Sequence, residues 1–182
     1  LARETTPSGQ QLFYTLDAAD NVISKPGLGH AELTSGNRIA YTDTEVFEYN
    51  HRDHIGVRKS RADGKSVRYQ YDSFDMLIAI ETVSANGKQE PTWQYAYDAL
   101  GRRTEVRCGG YKRQFFWDAD RLAAEIQPNG ALRIYQYAGP GALSPIGFTD
   151  YKSVSSAPET GSHYEVFSDP VGQPLHIEDA SG

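Results

Sequence analysis

Apolar and polar side chains alternate along several segments of the chain. In residues 67–71, Val67, Tyr69 and Tyr71 fall on one side of an extended backbone, while Arg68 and Gln70 fall on the other. Residues 131–137 (Ala-Leu-Arg-Ile-Tyr-Gln-Tyr) show the same alternation. A period of two residues is typical of β-strands. The pattern therefore predicts an all-β protein built from short strands.

Tight-turn dipeptides lie between these segments. They are Asp63-Gly64, Asn86-Gly87, Gly109-Gly110 and Asn129-Gly130. Asx-Gly pairs favour hairpin turns of type I′, because both central residues of that turn need a positive φ. The sequence therefore predicts successive antiparallel hairpins closed by type I′ turns.

A second kind of turn, an aromatic or aliphatic residue followed by aspartate, recurs along the chain. Its clear copies contain Asp72, Asp98 and Asp118, and weaker copies centre on Asp17, Asn50 and Asp169. The spacing is 22 residues from Asn50 to Asp72, then 26 to Asp98 and 20 to Asp118. A repeat of this length fits two short strands and two turns.

Each repeat is predicted to be a strand, an Asx-Gly turn, a strand ending in Tyr-x-Tyr, and an aspartate turn. We expect the aspartate carboxylate to accept a backbone N–H two residues further on, as in an Asx turn. The tyrosines supply an apolar sheet face. A single hairpin cannot bury such a face, so successive units are expected to stack.

Residues 1–182 are predicted to form one continuous repeat segment. Glycine, proline and serine interrupt the period in residues 139–161, which are predicted to be an irregular insertion. The chain begins at Leu1 and ends in a turn-like sequence at Gly182. We therefore expect it to be a fragment of a longer polypeptide.

The composition changes this picture little. The 12 Tyr, 7 Phe and 17 Gly suit short strands joined by turns. A net charge of −6 disfavours binding to a phosphate backbone, so no nucleic-acid partner is expected. Cys108 is the only cysteine, which excludes an internal disulfide. No apolar run approaches the roughly 20 residues of a membrane helix, so no membrane span is expected.

Three close carboxylate pairs are candidate general acids and bases: Asp17/Asp20, Asp72/Asp75 and Asp118/Asp120. They recur at one position of the repeat, whereas a catalytic site is normally built once. Turn formation is therefore the favoured interpretation.

Histidine and cysteine offer little more chemistry. His51 and His54 flank Asp53, but no third ligand at a suitable spacing supports a zinc site. Cys108 precedes a Gly-Gly turn and is expected to be an inert thiol. The sequence thus assigns no catalytic residue, no cofactor and no metal ligand, and we expect the chain not to be an enzyme.

Three segments resemble the RHS/YD-repeat family of bacterial polymorphic toxin cores and the related teneurin-like YD shells. Residues 97–103 (Tyr-Asp-Ala-Leu-Gly-Arg-Arg) look like the family's consensus, and residues 116–126 are similar to the segment that follows it. Residues 163–174 resemble its His-x-Asp-x-x-Gly-x-Pro block, with Ser168-Asp169-Pro170 where the family often has Thr-Asp-His. The repeat positions singled out are Tyr71, Asp72, Tyr97, Asp98, Gly101, Arg102, Trp117, Asp118, Asp169 and Gly172.

The resemblance implies a fold and a function. It implies a curved, spiralling antiparallel sheet that forms part of a hollow β-shell. That shell would encapsulate a C-terminal toxin domain in an exported effector that is made in the cytoplasm, with type VI secretion as one route. Its partners would be the remaining shell, the toxin, the secretion apparatus and an immunity protein. The toxin's own activity and the cleavage motif that releases it are not carried over to these residues.

Two other functions stay open. The aromatic rings, with Trp93 and Trp117 among them, suit a carbohydrate-binding or cell-surface adhesion module. Cross-strand packing of the same rings favours the structural interpretation. A hydrolase built on one of the carboxylate pairs is a third and weaker hypothesis.

Overall fold

The fold is known from a computed structural model, which describes residues 2–27 and 29–179. The chain divides into two compact units, residues 1–92 (unit 1) and residues 93–182 (unit 2). Every paired strand runs antiparallel to its neighbour in sequence within each unit. The predicted all-β fold of successive antiparallel hairpins is therefore confirmed.

The described residues form seventeen strands and one short 3-10 helix, Pro158–Thr160. Unit 1 contains β1 (Ala2–Thr5), β2 (Gln11–Leu16), β3 (Val22–Lys25), β4 (Gly29–Thr34), β5 (Arg38–Thr42), β6 (Glu45–Tyr49), β7 (Ile55–Ser60), β8 (Ser66–Tyr71) and β9 (Leu77–Val83). Unit 2 contains β10 (Trp93–Tyr97), β11 (Arg103–Cys108), β12 (Tyr111–Asp118), β13 (Arg121–Ile126), β14 (Leu132–Gln136), β15 (Gly147–Tyr151), β16 (Ser162–Ser168) and β17 (Pro174–Asp179).

Strand register follows the alternation seen in the sequence. In β8 and β9, Tyr69 lies opposite Ile80 and Gln70 lies opposite Ala79. Directly opposed residues share a sheet face, so Tyr69 and Ile80 pack together on one side. The period of two thus places each tyrosine of residues 67–71 on the same face.

Burial is sparse in both units. Among the described residues, the hydrophobic side chains that are buried are Ala31 and Ala79 in unit 1 and Val106 and Phe148 in unit 2. A two-layer domain would bury its inner sheet face almost completely. Each unit is therefore a single sheet layer whose faces stay largely accessible.

Connections alternate between the two ends of the strands, because each strand is antiparallel to the next. The aspartate turns that begin at Asp17, Asn50 and Asp72 lie at one edge of unit 1, and those at Asp98 and Asp169 lie at one edge of unit 2. The Asx-Gly turns lie at the opposite edge of each unit. In each unit, we call the end of the strands that carries the aspartate turns the loop edge of that unit.

The prediction of type I′ turns is wrong for the Asn-Gly pairs. In residues 127–131 the amide of Gln127 bonds to the carbonyl of Ala131, and Gly130 bonds back to Gln127. Gly130 has a φ of 82°, but Asn129 is not among the residues with positive φ. Residues 84–88 adopt the same five-residue loop, with Gly87 as its left-handed residue. A type I turn followed by one left-handed residue matches the strand twist as well as a type I′ turn does.

The predicted irregular insertion at residues 139–161 is only partly irregular. Gly147–Tyr151 forms strand β15, which pairs with β14 on one side and β16 on the other. Phe148 is 5% exposed and anchors this strand. Glycine and proline interrupted the repeat in the sequence, but their breaks fall in the connections on either side of β15.

Glycine's conformational freedom is required at position 130 and not at position 110. A Cβ at either position would meet no atom within 4 Å, but only Gly130 has a left-handed φ. We expect Gly130→Ala to lower the free energy of unfolding by about 1 kcal/mol, because an L-residue is strained there. Gly110→Ala, the matched control, should stay within about 0.5 kcal/mol of wild type. Urea unfolding measures both variants, and equal losses would contradict the assignment of strain.

Candidate functional site

The loop edges of the two units carry five copies of one five-residue loop, three in unit 1 and two in unit 2. The copies are residues 17–21, 50–54, 72–76, 98–102 and 169–173. In each copy the amide of the first residue donates to the carbonyl of the fifth, and the amide of the fourth donates to the carbonyl of the first. The weaker sequence copies at Asp17, Asn50 and Asp169 therefore adopt the same structure as Asp72 and Asp98.

The first residue of each loop organises the backbone with its side chain. Oδ1 of Asp98 accepts the amides of Leu100 at 2.9 Å and Arg102 at 3.0 Å. The equivalent oxygens of Asp17, Asn50, Asp72 and Asp169 accept the amides two and four residues further on, at 2.8–3.1 Å. The predicted Asx turn is present at all five positions, with a second bond that the sequence did not indicate.

The fourth residue of each loop has a left-handed backbone. Asp20, Asp53 and Asp75 occupy this position in unit 1, and Gly101 and Gly172 occupy it in unit 2. Aspartate and glycine tolerate this conformation better than other residues do. The second member of the pairs Asp17/Asp20 and Asp72/Asp75 is thus explained by backbone geometry.

Asp118 does not form this loop. It ends β12 and lies opposite Arg121, so the connection is a two-residue turn in which Ala119 is left-handed. Its carboxylate pairs with Arg121. Asp118 was predicted as a clear copy of the aspartate turn, and that prediction is wrong because the connecting turn has two residues, three fewer than the five-residue loop.

Aromatic side chains at strand ends bond to the neighbouring strand. The hydroxyl of Tyr71 donates to the carbonyl of Ile55 at 3.1 Å, and Nε1 of Trp117 donates to the carbonyl of Arg103 at 2.8 Å. Ile55 and Arg103 are the first residues after the preceding loops. Tyr49 and Tyr137 make equivalent bonds to the carbonyls of Ile39 and Leu122, both at 2.9 Å. Partial burial raises the pKa of Tyr71 and of Tyr137.

Arginine side chains join successive loops. Nη1 of Arg52 lies 3.1 Å from the carbonyl oxygen of Ser73 and 2.8 Å from Oδ1 of Asp75, both in the next loop of unit 1. In unit 2, Arg102 donates to the carbonyl of Ala119, and Arg121 donates to that of Gly139 at 3.1 Å. Each guanidinium therefore joins the connection that contains it, or that it directly follows, to the next connection at the same strand ends.

The pKa values of two loop carboxylates, Asp98 and Asp75, are lowered by neighbouring cationic or hydrogen-bonding groups. The pKa of Asp98 lies below its ordinary value of 3.8, chiefly because Arg102 donates to the carboxylate at 2.7 Å. The pKa of Asp75 is lowered by Arg52 first and by His54 second. A general acid at neutral pH needs a raised pKa instead. The lowered pKa values of Asp98 and Asp75 therefore suit a role in turn formation and not a role as general acid.

A row of alternating charges crosses strands β12 to β15 in unit 2. Arg113 donates to both carboxylate oxygens of Glu125, at 2.6 and 2.7 Å from Nη2, and Glu125 is only 1% exposed. Arg133 forms a parallel fork with Asp150, at 2.7 and 2.8 Å. These bonds raise the pKa of both arginines. Fork geometry is among the strongest forms of ion pairing in proteins.

Guanidinium groups also lie over the aromatic rings of unit 2. Arg103 lies over Tyr95 and Tyr97, at 4.8 and 5.8 Å from the ring centroids. The other stacked pairs are Arg102 over Trp117, Arg113 over Phe115, Arg121 over Tyr137 and Arg133 over Phe148. Trp93 instead packs edge-on against Tyr111, and both rings are about one-third exposed.

The remaining candidates do not converge on a reaction centre. His54 stacks on Tyr71 at 4.7 Å, and its Nε2 lies 3.1 Å from Oδ1 of Asp75. Cys108 is half-buried beside its Gly-Gly turn. Within residues 2–27 and 29–179, no group of three or more His, Cys, Asp or Glu side chains is placed to hold a metal ion. An open cleft of about 410 Å³ lies at the Asx-Gly edge of unit 1, where Ser60, Asp63 and Lys65 are among its lining residues.

Sequence reasoning missed the arginine bridges and the charge row. The residues that form them are far apart in the chain, as Arg133 and Asp150 are, and they meet only through strand register. The one available signal was the recurrence of arginine within or just after the loops, at Arg38, Arg52, Arg102 and Arg121.

Across the described part of the chain, no helix is long and apolar enough to cross a membrane.

These features define a class of protein: an antiparallel β-repeat whose loops are fixed by Asx side chains and bridged by arginine. The crystal structure of TcdB2-TccC3 without its hypervariable C-terminal region is similar, with a TM-score of 0.63 and 11% identity over 93% of this chain. The Tc holotoxin pore of Photorhabdus luminescens carrying a TccC3 mutation is also similar, with a TM-score of 0.50 and 11% identity over 96% of this chain. The chain spans only 10% and 11% of those two chains. No family model and no curated protein matches the chain. The likeness shows the fold.

The Tyr71 hydroxyl should stabilise unit 1 by one hydrogen bond. We expect Tyr71→Phe to lower the free energy of unfolding by about 1 kcal/mol, because the carbonyl of Ile55 loses its side-chain donor. Tyr69 lies in the same strand, and its hydroxyl makes no hydrogen bond within the described residues. Tyr69→Phe is therefore the matched control and should be near neutral. Chemical denaturation of both variants measures the difference, and equal effects would refute a specific role.

The Asp98 charge should make stability depend on pH in the acid range. Its pKa is lowered by folding, so the stabilisation is fully present above about pH 4 and is lost as the pH falls further. Asn50 shows that asparagine can form the same loop. We therefore expect Asp98→Asn to fold and to show a shallower fall of Tm below pH 4, whereas Asp98→Ala should be destabilised at every pH. The reciprocal Asn50→Asp variant should show a steeper fall. An unchanged acid slope in Asp98→Asn would contradict this account.

Proposed function

We propose that this chain is a wall segment of an RHS-type β-shell that encloses a C-terminal toxin domain and assists its delivery. In this role the chain does no chemistry itself. The observation that carries the proposal is a loop that recurs five times, together with arginine side chains that join such loops to the next connection at the same strand ends. The same hydrogen bonds recur along the loop edges, whereas a catalytic site is normally built once.

The accessible sheet faces support this role. Each unit is a single layer with very few buried hydrophobic side chains. A single layer is stable alone only if its strands are held together laterally, because it lacks a second layer to pack against. The bridges between loops and the charge row supply that lateral support. A thin wall joined along its edge suits enclosure better than it suits a compact catalytic domain.

The structural neighbours support the toxin context. One is TcdB2-TccC3, described without a hypervariable C-terminal region, and the other is a Tc holotoxin pore. This chain spans about a tenth of each neighbour's chain. We therefore include the enclosed toxin, the secretion apparatus and an immunity protein in the proposal as partners. Export of the assembled protein follows from the same proposal, with type VI secretion as one candidate route.

Carbohydrate binding is the second candidate. Trp93 and Tyr111 favour it, because both rings are partly exposed and lie 5.4 Å apart. A guanidinium lies over one face of several other rings of unit 2, including Tyr95 and Trp117, and that face is not free to stack on a sugar. The aromatic residues of this unit are thus used mainly within the sheet.

Protease protection in the full polypeptide tests the shell. We expect the region C-terminal to the repeats to resist limited proteolysis in the intact protein and to be cleaved at least about tenfold faster when expressed alone. The double variant Asp72→Ala/Asp98→Ala removes the side-chain acceptors of two loops and should accelerate cleavage. Asn50→Asp keeps its acceptor and is the control.

Two results would overturn the proposal. One is a C-terminal region that is cleaved equally fast with and without the repeats. The other is saturable binding of the intact protein to a glycan array that is lost in Trp93→Ala, which would establish adhesion instead. A hydrolase would be indicated by a substrate turned over by wild type but not by folded Asp98→Asn.

A further inference from the structure

Strand β15 is joined to its neighbours differently from the other strands of unit 2. The connections on either side, residues 137–146 and 152–161, are ten residues long. Every other connection between consecutive strands of unit 2 has two or five residues: 98–102, 109–110, 119–120, 127–131 and 169–173. A tight turn fixes the register of a hairpin, whereas a long connection leaves it open. The register of β15 must therefore be set by side chains.

Two side chains of β15 meet this need on the side facing β14. Asp150 lies opposite Arg133 and forms the two-bond fork with it. The same guanidinium lies 3.8 Å from the ring centroid of Phe148. A shift by one residue would move Asp150 and Phe148 to the opposite face of the sheet and would remove both contacts from Arg133.

Close packing holds β15 on its other side. Phe148 is 5% exposed and stacks on Tyr164 of β16, with ring centroids 4.9 Å apart. At Gly147 a Cβ would lie 2.7 Å from the carbonyl oxygen of Tyr164. At Gly161 a Cβ would lie 2.5 Å from Cγ2 of Thr149, so the end of the following connection also rests on β15.

We propose that β15 is a latched strand, held in the sheet by Arg133, Asp150 and Phe148, and that it is the first element of unit 2 to open when this latch is weakened. The long connections let β15 leave the sheet without pulling β14 or β16 with it, which tight hairpins do not allow. The inference concerns the chain's own dynamics and goes beyond the proposed shell function.

Hydrogen exchange followed by mass spectrometry tests the latch on the whole chain. In wild type, the amides of residues 147–151 should be protected like those of β13. In Asp150→Asn, which keeps the side-chain shape but removes the charge, they should exchange at least about tenfold faster. Gly147→Ala should have the same local effect through its clash with Tyr164. Peptides from β11 to β13 should be unchanged in both variants.

The control is an ion pair between strands joined by a tight turn. Glu105 on β11 lies 3.0 Å from Lys112 on β12, across the two-residue turn at 109–110. Glu105→Gln should leave exchange unchanged throughout unit 2, since the turn holds the register. The proposal fails if β15 exchanges as slowly in both latch variants as in wild type. It also fails if all strands of unit 2 lose protection by the same factor, because the effect would then be global unfolding.

Discussion

The acceptance of two backbone amides by one Asx oxygen is the interaction on which the rest of the structure depends. Where Asp98 bonds to the amides of Leu100 and Arg102, the chain reverses in five residues, and the two flanking strands meet in a fixed register. A local side-chain bond of this kind needs no tertiary partner, so it can recur at Asp17, Asn50, Asp72, Asp98 and Asp169. Repetition of the loop then sets the rhythm of the sheet.

Longer side chains convert these separate hairpins into a continuous edge. Tyr71 bonds back to the backbone at Ile55, and Arg52 reaches forward into the loop that follows Tyr71. Both side chains donate to backbone carbonyl oxygens at or beside the turns, and so supply hydrogen-bond partners to polar backbone atoms. The edge is thus stabilised by hydrogen bonds that cross from one repeat to the next, while the sheet faces contribute little burial.

Unit 2 adds a second form of lateral support within the sheet. Glu125 is almost fully buried, and its charge is balanced by the Arg113 fork. Removing one partner of such a pair leaves an uncompensated buried charge, which is more costly than the pair is stabilising. A one-residue shift would separate Arg133 from Asp150, so the row favours the observed register over shifted ones. This fits a sheet in which apolar side chains occur on both faces, such as Phe115 on one and Phe116 on the other.

The sequence by itself located most of the strands and five of the aspartate turns, because both depend largely on neighbouring residues. Alternation located strands such as β8, and the Tyr-Asp pairs located the loops at Asp72 and Asp98. Tertiary structure decided what depends on residues distant in the chain. It closed the hairpin early at Asp118, made a strand of Gly147–Tyr151, and brought Arg133 to Asp150. A period of two tells which face a residue occupies, but only the register between strands decides which charge or ring lies opposite it.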